Sequence, residues 1–218
     1  MTLHYKNFAP VLVFFFMALT LKPAFSSAAD SELTSKLECS IFNFHEIEPG
    51  FYRSGRIPPE NCPDLKAFGI KTVINFIDRK KESSEEEARL HALGIETVWI
   101  PWNGFDYPKD EYVEKFLQTV RDSYKRPILV HCKRGAERTG LMIACWRIAE
   151  KGWAADQALE EMRKLKFREF WYGHLKKYIY NFAKRYGQTA NYSNNIFTRM
   201  KTNLLYAVYR VRKLNPFH

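Results

Sequence analysis

The chain has 218 residues, 46% of them hydrophobic, which is enough for one domain of roughly 150 residues with a real core plus an extension. Its net charge of +10 is an uneven average: residues 1–29 carry +2, residues 30–163 carry 20 Lys and Arg against 23 Asp and Glu, and residues 164–218 carry 12 against Glu169 alone. The basicity therefore belongs to the C-terminal part, and a nucleic-acid-binding body does not follow from it.

In chain order, Phe8 to Leu21 is an apolar run of about 14 residues that ends at Lys22-Pro23, short of the ~20 a bilayer span needs. Small residues follow, with cleavage patterns at Ser26-Ser27-Ala28 and Ser27-Ala28-Ala29. Residues 1–29 therefore read as an export signal, with an uncleaved anchor as the other reading. The expected compartment is the periplasm or the exterior. There the four cysteines are free to form disulfides, and Cys39 with Cys62 is the candidate pair, paired and unpaired standing level.

Short runs rich in β-branched residues predict strands at "KTVINFI" (71–77), "ETVWIP" (96–101) and "PILVHC" (127–132), with "GFYRSG" (50–55) as a strand or hairpin at the sheet edge. Helical patterns lie between them: "PPENCPDLKAFG", then "SSEEEARLHALG" closing on Gly94, then "KDEYVEKFLQTVRDSY" with Val113, Phe116, Leu117 and Val120 on one face. After the last strand come "TGLMIACWRIAEKG", "AADQALEEMRKLKF" and "FWYGHLKKYIYNFAKRYG". A polar break at 187–195 leads into a basic amphipathic stretch, "NIFTRMKTNLLYAVYRVRKL". The alternation implies an α/β fold. A central, mostly parallel sheet of four to five strands is flanked by helices, the body spans 30–186, and a helical C-terminal extension spans 187–218. The basic helix of that extension can lie on an anionic bilayer or dock on the domain or a second subunit; docking is favoured.

In such folds functional groups collect where strands end, and Cys132 stands at such an end. A thiolate there needs backbone N–H groups, a helix N-terminus and a cation to stabilise it. Gly135 lets the backbone curl into an anion nest, Thr139-Gly140 opens a helix, and Arg138 supplies a planar fork that grips two phosphate oxygens. One loop can thus hold both a sulfur nucleophile and a tetrahedral oxyanion. No Cys/His spacing suggests zinc and no glycine-rich nucleotide motif is present, so neither metal nor cofactor is expected.

The string "VHCKRGAERTG" resembles the signature loop of protein tyrosine phosphatases at His131, Cys132, Gly135, Arg138, Thr139 and Gly140. Its place after three strands resembles dual-specificity phosphatases. With the export signal, the stretch from "FYRSGRIP" to "GWAADQALEEM" resembles the periplasmic phosphatases of bacteria, the TpbA-like group, and also the plant and fungal atypical members. The resemblance implies a dual-specificity phosphatase fold and a phosphocysteine intermediate on Cys132. Substrate phosphate would be held by Lys133, Arg134, Gly135, Ala136, Glu137, Arg138 and Thr139, with Thr139 bonding the sulfur and His131 ordering the loop.

The family also needs an Asp after the third strand to protonate the leaving oxygen. "IPWNGFDYPKDEYV" offers Asp106 and Asp110; Asp106 is chosen because Asp110 is placed to cap the next helix. Glu137 is a third candidate that the short tether should turn away from the phosphate. Arg53 is assigned to structure and Cys145 to the core. The implied activity is hydrolysis of phosphotyrosine, with phosphoserine and phosphothreonine as further substrates, in exported or membrane-associated phosphoproteins, without nucleic acid. The alternatives are a phosphoinositide or inositol polyphosphate phosphatase, suggested by Lys133 and Arg134, and a phosphate-binding pseudophosphatase.

Overall fold

Side chains on successive strand residues point to opposite faces, and in this chain both faces are apolar, so each strand needs a layer on either side. The computed structural model describes residues 28–188 and, beyond them, Leu204, Ala207 and Val208. Five strands form one sheet: β1 (His45–Glu48), β2 (Phe51–Ser54), β3 (Thr72–Asn75), β4 (Glu96–Trp99) and β5 (Ile128–His131), in the order β1-β2-β5-β3-β4. Only β1 runs antiparallel to its neighbour; the remaining pairings are parallel.

Val73 and Leu129 face one layer, made by α1 (Ala28–Ser40), α2 (Cys62–Ala67) and α3 (Lys80–Ala92). Phe51, Ile74, Ile128 and Val130 face the other, made by α4 (Asp110–Arg121), α5 (Glu137–Lys151), α6 (Ala155–Lys164) and α7 (Gly173–Arg185). Helix α5, buried along most of its length, packs on α6 and α7 and forms the centre of the larger core. Gly152 ends it in the left-handed conformation at φ 66°, which a residue without Cβ adopts at no steric cost.

The three strands expected over 71–77, 96–101 and 127–132 are present with shorter ends. The edge segment at 50–55 is a true strand, β2, but it lies inside the sheet; β1, which was not foreseen, takes the edge. The sequence "HEIE" offers only one apolar residue, and its hairpin partner supplies the hydrogen bonds. Helix α1 was also unforeseen and buries Leu37 against the sheet. Helix α4 begins at Asp110, with Lys109 as its cap residue, so Asp110 does not cap it; its carboxylate accepts from Arg185 Nη1 at 2.8 Å. Helix α7 starts three residues later than the pattern from Phe170 suggested. Cys39 is exposed on α1 and Cys62 is buried on α2, both as free thiols. The apolar run at 8–21 lies outside the described residues, as does the basic stretch at 195–214 except for the three named positions.

The parallel pairings align Ser54, His131 and Asn75 across β2, β5 and β3. The segments leaving these three strands, and the one leaving β4, therefore emerge at one edge of the sheet.

Candidate active site

Cys132 follows β5, the central strand, directly and is 2% exposed. The chain then turns through Lys133 to Ala136 and enters α5 at Glu137, so Arg138 and Thr139 sit in its first turn rather than ahead of it. Gly135 has φ 65°, and its N–H donates to Cys132 Sγ at 3.2 Å. A Cβ at Gly135 would lie 2.4 Å from Ser54 O, so only glycine fits where this loop presses on the end of β2.

The loop is fastened from behind by groups distant in sequence. Arg56 N–H donates to Lys133 O at 3.3 Å, and Asn43 Nδ2 donates to Gly135 O at 3.0 Å and to Leu165 O at 3.2 Å. Arg53, fully buried, also donates through Nη2 to Gly135 O, while its other two nitrogens make no hydrogen bond. Burial lowers its pKa to about 10, against the pull of Cys132 and Glu161, so the guanidinium remains a cation close to the sulfur. The sequence reading assigned Arg53 to structure alone; its contact with the loop and its charge near Cys132 place it directly behind the site.

His131 is buried, with Nε2 2.8 Å from Glu86 Oε1, which also accepts from Asn75 Nδ2 at 2.8 Å. This pins the residue before the sulfur to β3 and α3, in keeping with an ordering role. Arg138 makes all its described side-chain hydrogen bonds through Nη1: to Phe76 O at 2.8 Å, Asp78 Oδ1 at 3.0 Å and Trp102 O at 3.1 Å. One nitrogen thus ties the loop to the segments after β3 and β4, leaving Nε and Nη2 for an anion.

These groups surround a cleft of about 580 Å³. Its lining includes the expected Cys132, Lys133, Arg134, Glu137 and Arg138. Four further residues that no local motif marks also line it: Asp78, Phe105, Arg168 and Tyr172. The rings of Phe105 and Tyr172 stack at 4.8 Å and form one wall. Asp78 was legible in principle, since it follows the end of a parallel strand; Arg168 and Tyr172 arrive from the α6–α7 connection and carry no local signal.

Several expected details differ. Thr139 is fully buried, and its hydroxyl makes no hydrogen bond among the described residues, so the sulfur's donor is the Gly135 amide. Glu137 turns toward the cleft, not away from it, and Arg168 Nε holds its carboxylate at 2.7 Å. Ala136 is buried beneath the loop. Asp106 sits one residue beyond the lining segment Asn103 to Phe105. Its N–H bonds Asn103 O at 2.9 Å, and its charge reaches His174, whose Nε2 lies 3.2 Å from Gly104 O. Burial lowers the His174 pKa, opposed by Gly104 and Asp106. Cys145 behaves as a core residue: burial pushes its thiol far up and away from reactivity.

Residues 25–175 match the family model described as "DSP-PTPase phosphatase fused to NAD+ Kinase". Inositol diphosphatase DSP3 of Arabidopsis thaliana is 34% identical over 136 residues, 58% of this chain and 65% of its own length. Dual specificity protein phosphatase TpbA of Pseudomonas aeruginosa (strain UCBPP-PA14) is 29% identical over 156 residues, 72% of this chain and 69% of its own. The crystal structure of P. aeruginosa TpbA aligns with a TM-score of 0.57 at 25% identity, covering 69% of this chain and 94% of that one. The catalytic core of the PP-IP phosphatase SIW14 from S. cerevisiae, solved with citrate, aligns with a TM-score of 0.57 at 23% identity over 76% and 94%, a likeness of fold.

Proposed function

The chain belongs to the DSP-PTPase family of cysteine-based phosphatases, and on that premise we propose that it hydrolyses phosphotyrosine, and phosphoserine and phosphothreonine more slowly, in exported or membrane-associated proteins. The observation that carries the reading is the placing of Cys132 in a cleft with Arg138 beside it and the stacked rings of Phe105 and Tyr172 as a wall. A flat apolar wall suits the phenyl ring of phosphotyrosine, and aromatic pairs gain from offset stacking.

In the proposed reaction Cys132 Sγ attacks phosphorus in line, the S–P bond forms as the P–O bond to the leaving group breaks, and Asp106 gives that oxygen a proton. Water then attacks the phosphocysteine, Asp106 takes its proton, and inorganic phosphate leaves with the thiolate restored. The loop amides and the free edge of Arg138 hold the equatorial oxygens as charge gathers on them. Lys133 and Arg134 raise the potential at the mouth, and Arg168 is shared between Glu137 and the incoming anion.

The assignment of the acid has its own test. Asp106→Asn is expected to lower kcat on a phosphopeptide on the order of 100-fold and to remove the high-pH fall of the rate profile, because that fall is the loss of the acid's proton. An aryl phosphate with a good leaving group should suffer less. Asp78→Asn should keep the high-pH limb; if it removes the limb and Asp106→Asn does not, Asp78 is the acid.

A second reading is favoured by one observation: the cations Lys133, Arg134, Arg138 and Arg168 line a single cleft, more than one phosphate monoester needs. Similarity to a protein named as an inositol diphosphatase supports the same reading. Phosphate release from phosphotyrosine, phosphoserine and phosphothreonine peptides and from inositol polyphosphates, one of them carrying a diphosphate, separates the two. The proposal expects the highest kcat/KM on phosphotyrosine peptides; a kcat/KM ten times higher on an inositol phosphate replaces it with the second reading.

A further inference from the structure

The connection between α6 and α7 carries two large rings out of the fold. Phe170 is 55% exposed and Trp171 53%, and the two rings meet edge to face with centroids 5.0 Å apart. Phe42, 49% exposed, belongs to the same face, because Lys166 Nζ lies 4.3 Å from its ring centroid and Arg134 lies beside it. Large rings held in water forgo the free energy of burial, and a cluster of them marks a surface that something covers.

The surrounding charge says what covers it. Residues 163–177 contain six Lys and Arg against Glu169 alone. Glu169 is already paired with Arg163 and Lys176, while Lys164, Lys166 and Lys177 project into solvent. The patch adjoins the cleft, since Arg168 and Tyr172 of the same connection line it.

We propose that this face docks on an anionic lipid bilayer. Phe170 and Trp171 enter the interfacial layer, the lysines engage headgroup phosphates, and the mouth of the cleft is held at the membrane surface. Large rings beside basic side chains suit that boundary, where an apolar body and a charged neighbour are both satisfied. A second copy of the chain would bring like charge against like. A peptide would need a groove or an open strand edge, whereas this connection is a turn between two helices, with Trp171 N–H bonded back to Arg168 O at 3.0 Å.

The test is sedimentation of the full chain with vesicles of phosphatidylcholine, with and without phosphatidylglycerol. Binding is expected only with phosphatidylglycerol and should weaken as salt rises. Phe170→Ser with Trp171→Ser should lower the partition coefficient on the order of tenfold, and Lys164→Gln with Lys166→Gln and Lys177→Gln should lower it comparably. Hydrolysis of para-nitrophenyl phosphate in solution should be unchanged in both, which also reports that they fold. Equal partition of the serine variant and the parent would overturn the proposal and leave vesicle binding to the C-terminal tail. Failure of the parent to bind anionic vesicles would also overturn it. Unchanged vesicle binding with loss of phosphopeptide turnover, or of a dimer, would assign the rings to a protein partner instead.

Discussion

Cys132→Ser is expected to reduce turnover of any phosphate monoester on the order of 10⁴-fold or more, while substrate still binds. A serine hydroxyl attacks phosphorus only when a base takes its proton. The neighbouring imidazole is not free for that task, because His131 Nε2 is engaged by Glu86 and the ring is buried. The phosphate donors proposed here are backbone amides and Arg138, and the substitution touches neither. Burst-phase kinetics and equilibrium binding of a phosphopeptide, read together, check this: turnover should vanish and affinity persist. A Cys132→Ala variant that cleaved aryl phosphates at the parental rate would remove sulfur from the mechanism.

Arg138→Lys should lower kcat/KM on the order of 10²- to 10³-fold, with KM raised and kcat lowered together. An ammonium keeps the charge but has no planar fork, so one nitrogen cannot tie Phe76 O, Asp78 and Trp102 O together while two others face the phosphate. The aliphatic part of Arg138 also packs against Gly104, where a Cβ would lie 3.3 Å from Cγ, so the segment bearing Asp106 rests on this side chain. Loss of the fork therefore disturbs both the anion site and the strap that carries the acid. A charge-only role predicts that lysine restores most of the activity lost in Arg138→Ala, and the steady-state comparison of these two variants decides between the two views.

What could be read before folding was local. The nucleophile, its arginine and the glycine between them lie within seven residues, and their chemistry depends on a turn between one strand and one helix. Spacing along the chain is then nearly the same information as geometry. The three parallel strands were legible for a similar reason, since continuous β-branched runs need burial on both faces. Strand β1 was missed because "HEIE" is paired into the sheet by its hairpin rather than by its own apolar pattern. The N-cap assignment of Asp110 failed because a long-range partner, Arg185, competes for the carboxylate.

The sequence by itself determined the phosphatase family, the sulfur nucleophile and the layered α/β architecture, because each depends on residue types at short, fixed spacing. The tertiary structure alone decided what surrounds the sulfur. Placing β5 between β2 and β3 brings Arg53, Asn75 and the segment bearing Asp78 to one edge, and the return of α6 and α7 closes the cleft with Arg168 and Tyr172. Those residues lie tens of positions from Cys132, and their meeting is fixed by strand order and helix packing, which single-chain spacing does not encode.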